Sequence, residues 1–367
     1  MNKNDSLADR YVHGFCTGGI ATSEYAGAHL IAFNKANLIN GVGVTLLWEK
    51  LIPDQIFLMP SELRMPLTNP QQPTYFVGQG GSHDGGDYLD TFAVYWGTAA
   101  GINSMTPALV PVNPMRWPAA NETFPYSRQP APAAHIGMRS AGFVATAVFY
   151  KGSLWTALSY SVSESHLILR WAELDVSTVW SNRAVSLVQE GDVNQGMDLD
   201  LSYAKLDVDR DGNMMITFVM SGPEQYVSLG YTGRLSTDPK GTLRYPLHIW
   251  APGNSTYAAP GSVSFTRWAD YIGGVFDPVD RKTFWMYGPI PNPSGAFNAN
   301  GTATDWTSVI GTAHLDRNGE CPPQFKTHTE HRYVNQKAEN SYAASHPTPF
   351  EPEDGEVEGP EEIEYDE

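Results

Sequence analysis

The chain has 367 residues, 41% of them hydrophobic and 12% aromatic, with 34 Gly and 27 Pro against only 23 Lys and Arg. Its formal charge is −17, and ten of its 40 acids fall in residues 351–367, which hold no Lys or Arg; without clustered bases, nucleic acid and anionic membrane surfaces are excluded as partners. No run of 18 apolar residues suggests membrane insertion, and two cysteines are too few for a disulfide framework.

Residues 1–10 are a polar N-terminal arm that lacks the apolar core of a signal peptide. From Tyr11 to Ile52, four short apolar or alternating runs (Tyr11–Phe15, Gly19–Thr22, His29–Phe33 and Val44–Trp48) are separated by Gly or polar turns and predict one antiparallel unit. Five prolines between Pro53 and Pro73 forbid a helix and predict a connecting excursion. A second unit follows, with strands at Thr74–Gly78 and Leu89–Trp96, and then another Pro-rich loop from Pro107 to Pro132. The third unit spans Ile136 to Gln189, the fourth Leu201 to Trp250 and the fifth Phe265 to Leu315.

One pattern repeats through the later units. Phe143–Tyr150 returns through Lys151-Gly152 into Leu154–Ser161, and Tyr203–Val208 returns through Asp209-Arg210-Asp211-Gly212-Asn213 into Met214–Val219. Arg267–Phe276 then returns through Asp277-Pro278-Val279-Asp280-Arg281 into Thr283–Tyr287. Each is a β-hairpin with apolar or β-branched arms around a turn. Units of three or four strands, each too small to bury its own apolar face, predict an all-β fold, a β-propeller of five to six blades over residues 11–335. The ring is expected to close by pairing Tyr11–Phe15 with Asp305–Leu315, bringing Cys16 and Cys321 close together. Failing that, it remains open and completes itself by oligomerising or by binding another chain. Residues 336–367 turn to Glu, Pro, Ser and Asn and predict a disordered acidic tail.

Tyr203–Asn213, Ser221–Tyr226, Asp238-Pro239-Lys240-Gly241 and Arg267-Trp268-Ala269-Asp270-Tyr271, followed by Asp277-Pro278 and Thr283-Phe284-Trp285, resemble uncharacterised secreted bacterial proteins of sialidase-like β-propeller fold. Their hallmark is R-W-G-D-Y, then D-P, then T-F-W; Ala269 stands here in place of the Gly. The resemblance implies an extracellular or surface setting, and, because relatives carry at least one further N-terminal blade, it implies either that such a blade is missing from this chain or that the ring closes with fewer blades.

Asp207, Asp209 and Asp211, followed by Gly212, form D-x-D-x-D-G, the opening of a calcium loop. The twelfth position, where an EF-hand needs an acid, is Phe218, so a hairpin turn is the favoured reading; otherwise no cofactor is expected. Asp84, Asp87, Asp90, Arg139 and Asp270 are the charged residues that one end of a propeller axis would gather for two-carboxylate sugar chemistry. Arg267, Trp268, Asp270 and Tyr271 are expected either to hold the blade, with Trp268 wedged between sheets beside an Arg267–Asp270 pair, or to face a ligand. The favoured function is a non-catalytic binding or structural propeller displayed on a surface or particle and recognising glycan or protein. The alternative is a sialidase-like glycoside hydrolase or lyase.

Because residues 336–367 hold almost no apolar periodicity and many like charges, limited proteolysis is expected to trim them while the melting transition of the remainder stays in place. A tail that resists protease, or a transition lost with it, contradicts this reading.

Overall fold

The computed structural model describes residues 10–18, 25–43, 46–52, 58–64, 72–79, 88–97, 101–104, 108–115, 126–131, 133, 135–137, 144–163, 166–177, 184–259, 265–269, 271–292 and 302–315. The chain divides into two units, Met1–Thr329 and Glu330–Glu367, and every described residue belongs to the first. Gly19–Thr22, Cys321 and the acidic tail lie outside the described residues.

The regular structure of the described residues is almost entirely strand. A first sheet holds β1 (Arg10–Gly18), β2 (Tyr25–Asn34) and β3 (Leu46–Ile52), and a five-residue helix, α1 (Lys35–Ile39), follows β2 with Asn34 as its cap. The proline-rich excursion contributes two short strands, β4 (Met59–Pro60) and β5 (Glu62–Leu63). The second sheet combines β4 with β6 (Thr74–Gln79), β7 (Tyr88–Gly97), β8 (Gly101–Ser104) and β9 (Ala108–Pro111). Two more short strands, β10 (Tyr126–Ser127) and β11 (His135–Gly137), precede the third sheet. That sheet contains β12 (Val144–Tyr150), β13 (Ser153–Ser163), β14 (His166–Asp175) and β15 (Ser186–Val193), with β5 added parallel to β12. The fourth contains β16 (Asp200–Val208), β17 (Met214–Gly222), β18 (Gln225–Arg234) and β19 (His248–Ala251). After β20 (Phe265–Arg267), the last sheet holds β21 (Gly273–Phe276), β22 (Thr283–Pro291) and β23 (Trp306–His314).

The five larger sheets stack in chain order: β1 lies against β4, β4 and β6 against β12, β12 to β14 against β16, and β16 to β19 against the strands of the last sheet. Side chains alternate between the two faces of a strand, so a strand with apolar residues at successive positions needs a neighbour on both sides. In β17 every residue is buried. Its even-numbered Met214, Ile216, Phe218 and Met220 pack on Val148, Trp155, Leu169 and Trp171 of the third sheet. Its odd-numbered Met215 and Val219 join Phe284, Met286 and Ala313 of the last sheet. The same division places Phe76 and Phe92 with the first sheet's Leu30, and Tyr75 and Val77 with the third sheet's Ala147 and Leu154.

The turns follow from local chemistry. Lys151 and Gly152 both take positive φ (48° and 86°), the conformation a two-residue hairpin needs. In the last hairpin, Asp277 Oδ1 accepts from the amides of Val279 and Asp280, and Arg281 takes φ 55°. Asp280 is tied to the Thr283 hydroxyl and amide and to the Lys282 amide, and those donors hold its carboxyl down at about 2.

Two expectations are corrected. Tyr11–Phe15 does not pair with the C-terminal strand: β1 pairs with β2 along its length and β23 with β22 from Thr283↔His314 to Pro291↔Trp306. Each is held by the strand adjacent in sequence, a pairing that closes a shorter loop than one between the two ends, and each remains an edge strand of its sheet. Arg267 is not part of the last hairpin either. Phe265–Arg267 pairs parallel with His135–Gly137, and the described residues from Trp268 to Ile272 are outside any strand.

One buried carboxylate ties the stack together. Asp207, at 0% exposure, accepts from Arg64 Nε at 2.7 Å, from its neighbour's amide at Val208 and, across to the last sheet, from the Phe276 amide at 2.8 Å. Burial raises its carboxyl, and the Arg64 guanidinium opposes that rise. Removing the carboxylate leaves the largely buried Arg64 with Glu62 as its remaining acid and takes the acceptor from the Val208 and Phe276 amides. Asp207→Ala is therefore expected to cost about 3–5 kcal/mol in denaturant unfolding, and an unchanged midpoint contradicts the tie.

Candidate ligand-binding pocket

Between β19 and β21 the chain runs through residues 252–272, and several hydrogen bonds fix the described part of this loop. Tyr257 forms a parallel bridge with Ala303, flanked by Ala258 N to Ala303 O and Ala303 N to Thr256 O, both 2.9 Å. The buried Gln129 side chain acts on Tyr257 as a strand partner would: its Nε2 donates to the Tyr257 carbonyl at 2.7 Å and its Oε1 accepts from the Tyr257 amide at 2.9 Å. Ala259 N donates to Thr266 Oγ1, and the Tyr203 hydroxyl donates to the Trp268 carbonyl at 3.0 Å.

Tyr203 reaches Trp268 because β16 is bulged. Its register with β17 skips between Ser202 and Lys205, and Tyr203 adopts φ 51°, a region costly for a bulky side chain. Strain of this kind persists only where the surroundings hold it. Here the buried Tyr203 packs in the same core as Tyr257 and Trp268.

These anchors form the rear of a pocket of about 540 Å³, lined by Tyr257, Ala259, Trp268 and Ala269 of the loop, with Tyr271, Tyr287, Pro289 and Trp306. Trp268 is 2% exposed and meets Tyr257 edge-on at 4.7 Å, whereas Tyr271 is 79%, Tyr287 44% and Trp306 45% exposed. The pocket therefore has a fixed, buried back wall and an open aromatic front. Burial, with a smaller contribution from Asp305, raises the Tyr257 phenol and keeps it neutral. Trp268 Nε1 is buried and has no hydrogen-bond partner among the described residues, a state that costs about 1–3 kcal/mol when nothing accepts from it.

Of the sequence candidates, Trp268 and Tyr271 meet in this pocket. Arg267 sits in β20, whereas Asp270, Asp84, Asp87 and Arg139 lie outside the described residues. Asp90 is buried in β7 opposite Gly78 and Leu109, away from the pocket lining. The three aspartates of the calcium-like motif are not brought onto one point. Asp207 is taken by Arg64 and Phe276; Asp209 accepts from the amides of Asp211 and Asn213 and from Asn213 Nδ2; Asp211 is exposed. Among the described residues no group of three His, Cys, Asp or Glu is placed to hold a metal ion. Sequence reasoning missed Tyr257, Tyr287 and Trp306, and also the positioning residues Gln129 and Tyr203. Only Tyr287 and Trp306 left a signal, as aromatics at strand positions.

Tyr203→Phe keeps the ring and removes the hydroxyl that donates to the Trp268 carbonyl. It is expected to destabilise the protein by about 1–3 kcal/mol in denaturant titration with an unchanged slope. A variant as stable as the parent contradicts the anchoring role.

No protein-family model and no curated protein matches this chain. Solved structures do. A protein of unknown function from Dyadobacter fermentans DSM 18053 is 10% identical with a TM-score of 0.40, over 86% of this chain and 81% of that one. A subtype N10 neuraminidase-like protein of A/little yellow-shouldered bat/Guatemala/060/2010 is 10% identical with a TM-score of 0.32, over 78% and 72%. A subtype N11 neuraminidase-like protein of A/flat-faced bat/Peru/033/2010 (H18N11) is 9% identical with a TM-score of 0.32, over 84% and 80%.

Proposed function

We propose that this chain is a glycan-recognising β-propeller that binds its ligand without transforming it, with the five stacked sheets as its blades. The observation that carries the reading is the division of labour in the pocket. A buried back wall is pinned by backbone and side-chain hydrogen bonds, and an exposed front is built from Tyr271, Tyr287 and Trp306. Flat aromatic faces suit the apolar faces of sugar rings, and holding them in place before the ligand arrives lowers the entropy lost on binding. The pocket volume lies in the range of ordinary small-molecule sites.

A hydrolase or lyase of sialidase-like architecture would need two carboxylates about 5–10 Å apart around the scissile bond. The described lining is aromatic, proline and alanine, which favours binding. Display on a surface or particle outside the cell fits such a role and extends the resemblance read from the sequence.

Titration of mono- and disaccharides followed by tryptophan fluorescence tests the reading. At least one sugar is expected to shift the emission in a saturable way, and Trp306→Ala to weaken its binding by roughly tenfold, the loss of one aromatic contact. No release of reducing ends is expected over the same panel. Saturable binding unaffected by Trp306→Ala, or turnover of a sugar substrate, contradicts the proposal.

A further inference from the structure

We propose that the pocket continues into a track along the outer face of the last sheet, which takes an extended, uncharged polysaccharide chain; this rests on the pocket being a glycan site. Alternation along β22 places Trp285, Tyr287 and Pro289 on one face, while Phe284 and Met286 face the fourth sheet. Trp306 opposes Pro291 in the ladder and so shares that outer face. From Trp285 to Pro291 is six residues, about 20 Å of strand at the usual rise. The aromatics thus form a row running from the hairpin-turn end of β22 into the pocket, with Ser308, Ile310 and Thr312 beside it on β23. A row this long spans several sugar rings, where a site for a single terminal sugar would need only the pocket.

Two of these rings are held by their polar tips while their faces stay open. Trp285 Nε1 donates to Asp277 Oδ2 at 3.0 Å, and Tyr287 Oη shares a hydrogen with Ser308 Oγ at 3.1 Å. Tyr287 also lies over Gly273, where an added Cβ would meet the Tyr287 Cβ at 3.2 Å, so the glycine leaves room for the ring at that level of the sheet. Trp285 nevertheless remains 43% exposed. Aromatic side chains fixed in orientation yet open to water are suited to stacking a ligand without further ordering.

Charge selects the class of chain. The row itself is uncharged. The turn at the Trp285 end sets Asp277 and Asp280 against Arg281 and Lys282, and Asp305 stands next to Trp306 at the other end. The track thus offers no net positive charge to hold an anionic polysaccharide, and its open aromatic faces suit a neutral one.

Calorimetric titration with β-1,4-linked gluco- and manno-oligosaccharides of two to six units, with oligogalacturonates of the same lengths as the acidic control, tests the track. In at least one neutral series the affinity is expected to rise by tenfold or more from two units to six. Trp285→Ala, and separately Ile310→Glu at an exposed position that leaves the core untouched, should reduce that rise to threefold or less. Affinity independent of length overturns the track while leaving the pocket intact. Binding only of long chains, lost in Trp285→Ala, supports the track and removes the pocket as an independent site. Preference for the galacturonates, or a length effect untouched by both variants, overturns the proposal, and binding of no probe at any length overturns it together with the pocket.

Discussion

A strand that buries apolar side chains on both of its faces cannot stop at a two-layer sandwich, and the rest of this structure follows from that constraint. β17, with Met214, Ile216, Phe218 and Met220 on one face and Met215 and Val219 on the other, needs a sheet on each side. Its neighbours carry the same double load, so the sheets stack one after another in chain order. Stacking ends where the pattern changes. In β22 burial alternates strictly from Phe284 to Tyr287, with the outward Trp285 and Tyr287 half open to solvent. The surface proposed to take a ligand is thus the face at which the stack stops.

Polar ties run through the same stack and serve the same end. Asp207 links the linker strand at Arg64, its own strand and the amide of Phe276 in the last sheet. The loop that forms the back of the pocket is tied in a similar manner: Gln129, far away in sequence, holds Tyr257, and Tyr203 holds Trp268. In each case a buried polar group is satisfied by a residue remote in the chain, which fixes the relative placement of elements that apolar packing alone would leave free to slide. The pocket inherits its rigidity from these ties.

How much of this was legible in the sequence depends on the range of the interaction. Hairpins were legible because their turns are local: Lys151-Gly152, Asp209 to Asn213 and Asp277 to Arg281 all form the expected turns, whereas Phe265–Arg267 leaves the fifth unit for the sheet of β10 and β11. The aspartates at 207, 209 and 211 were legible as a pattern but not as a role. An alternating Asp motif looks the same whether it surrounds an ion or, as here, divides into an inter-sheet tie and a turn cap. The insertion of Glu62-Leu63 beside β12 and the bulge at Tyr203 depend on chain segments about 60 to 140 residues away, and no local periodicity encodes them. Trp268 and Tyr271 stood out by motif, whereas Tyr287 and Trp306 needed knowledge of which sheet is last in the stack.

On this proposal the aromatic face of the last sheet is open in the free protein and covered when a glycan binds. Hydroxyl-radical footprinting of the protein alone and saturated with its best-binding neutral hexasaccharide measures this directly, residue by residue. The account predicts ready oxidation of Trp285, Tyr287 and Trp306 in the free protein and protection of all three in the complex, with the buried Trp171 and Trp268 unreactive in both. Protection of Trp285 and Tyr287 already in the free protein would mean that protein, and not glycan, covers this face, and would contradict the account.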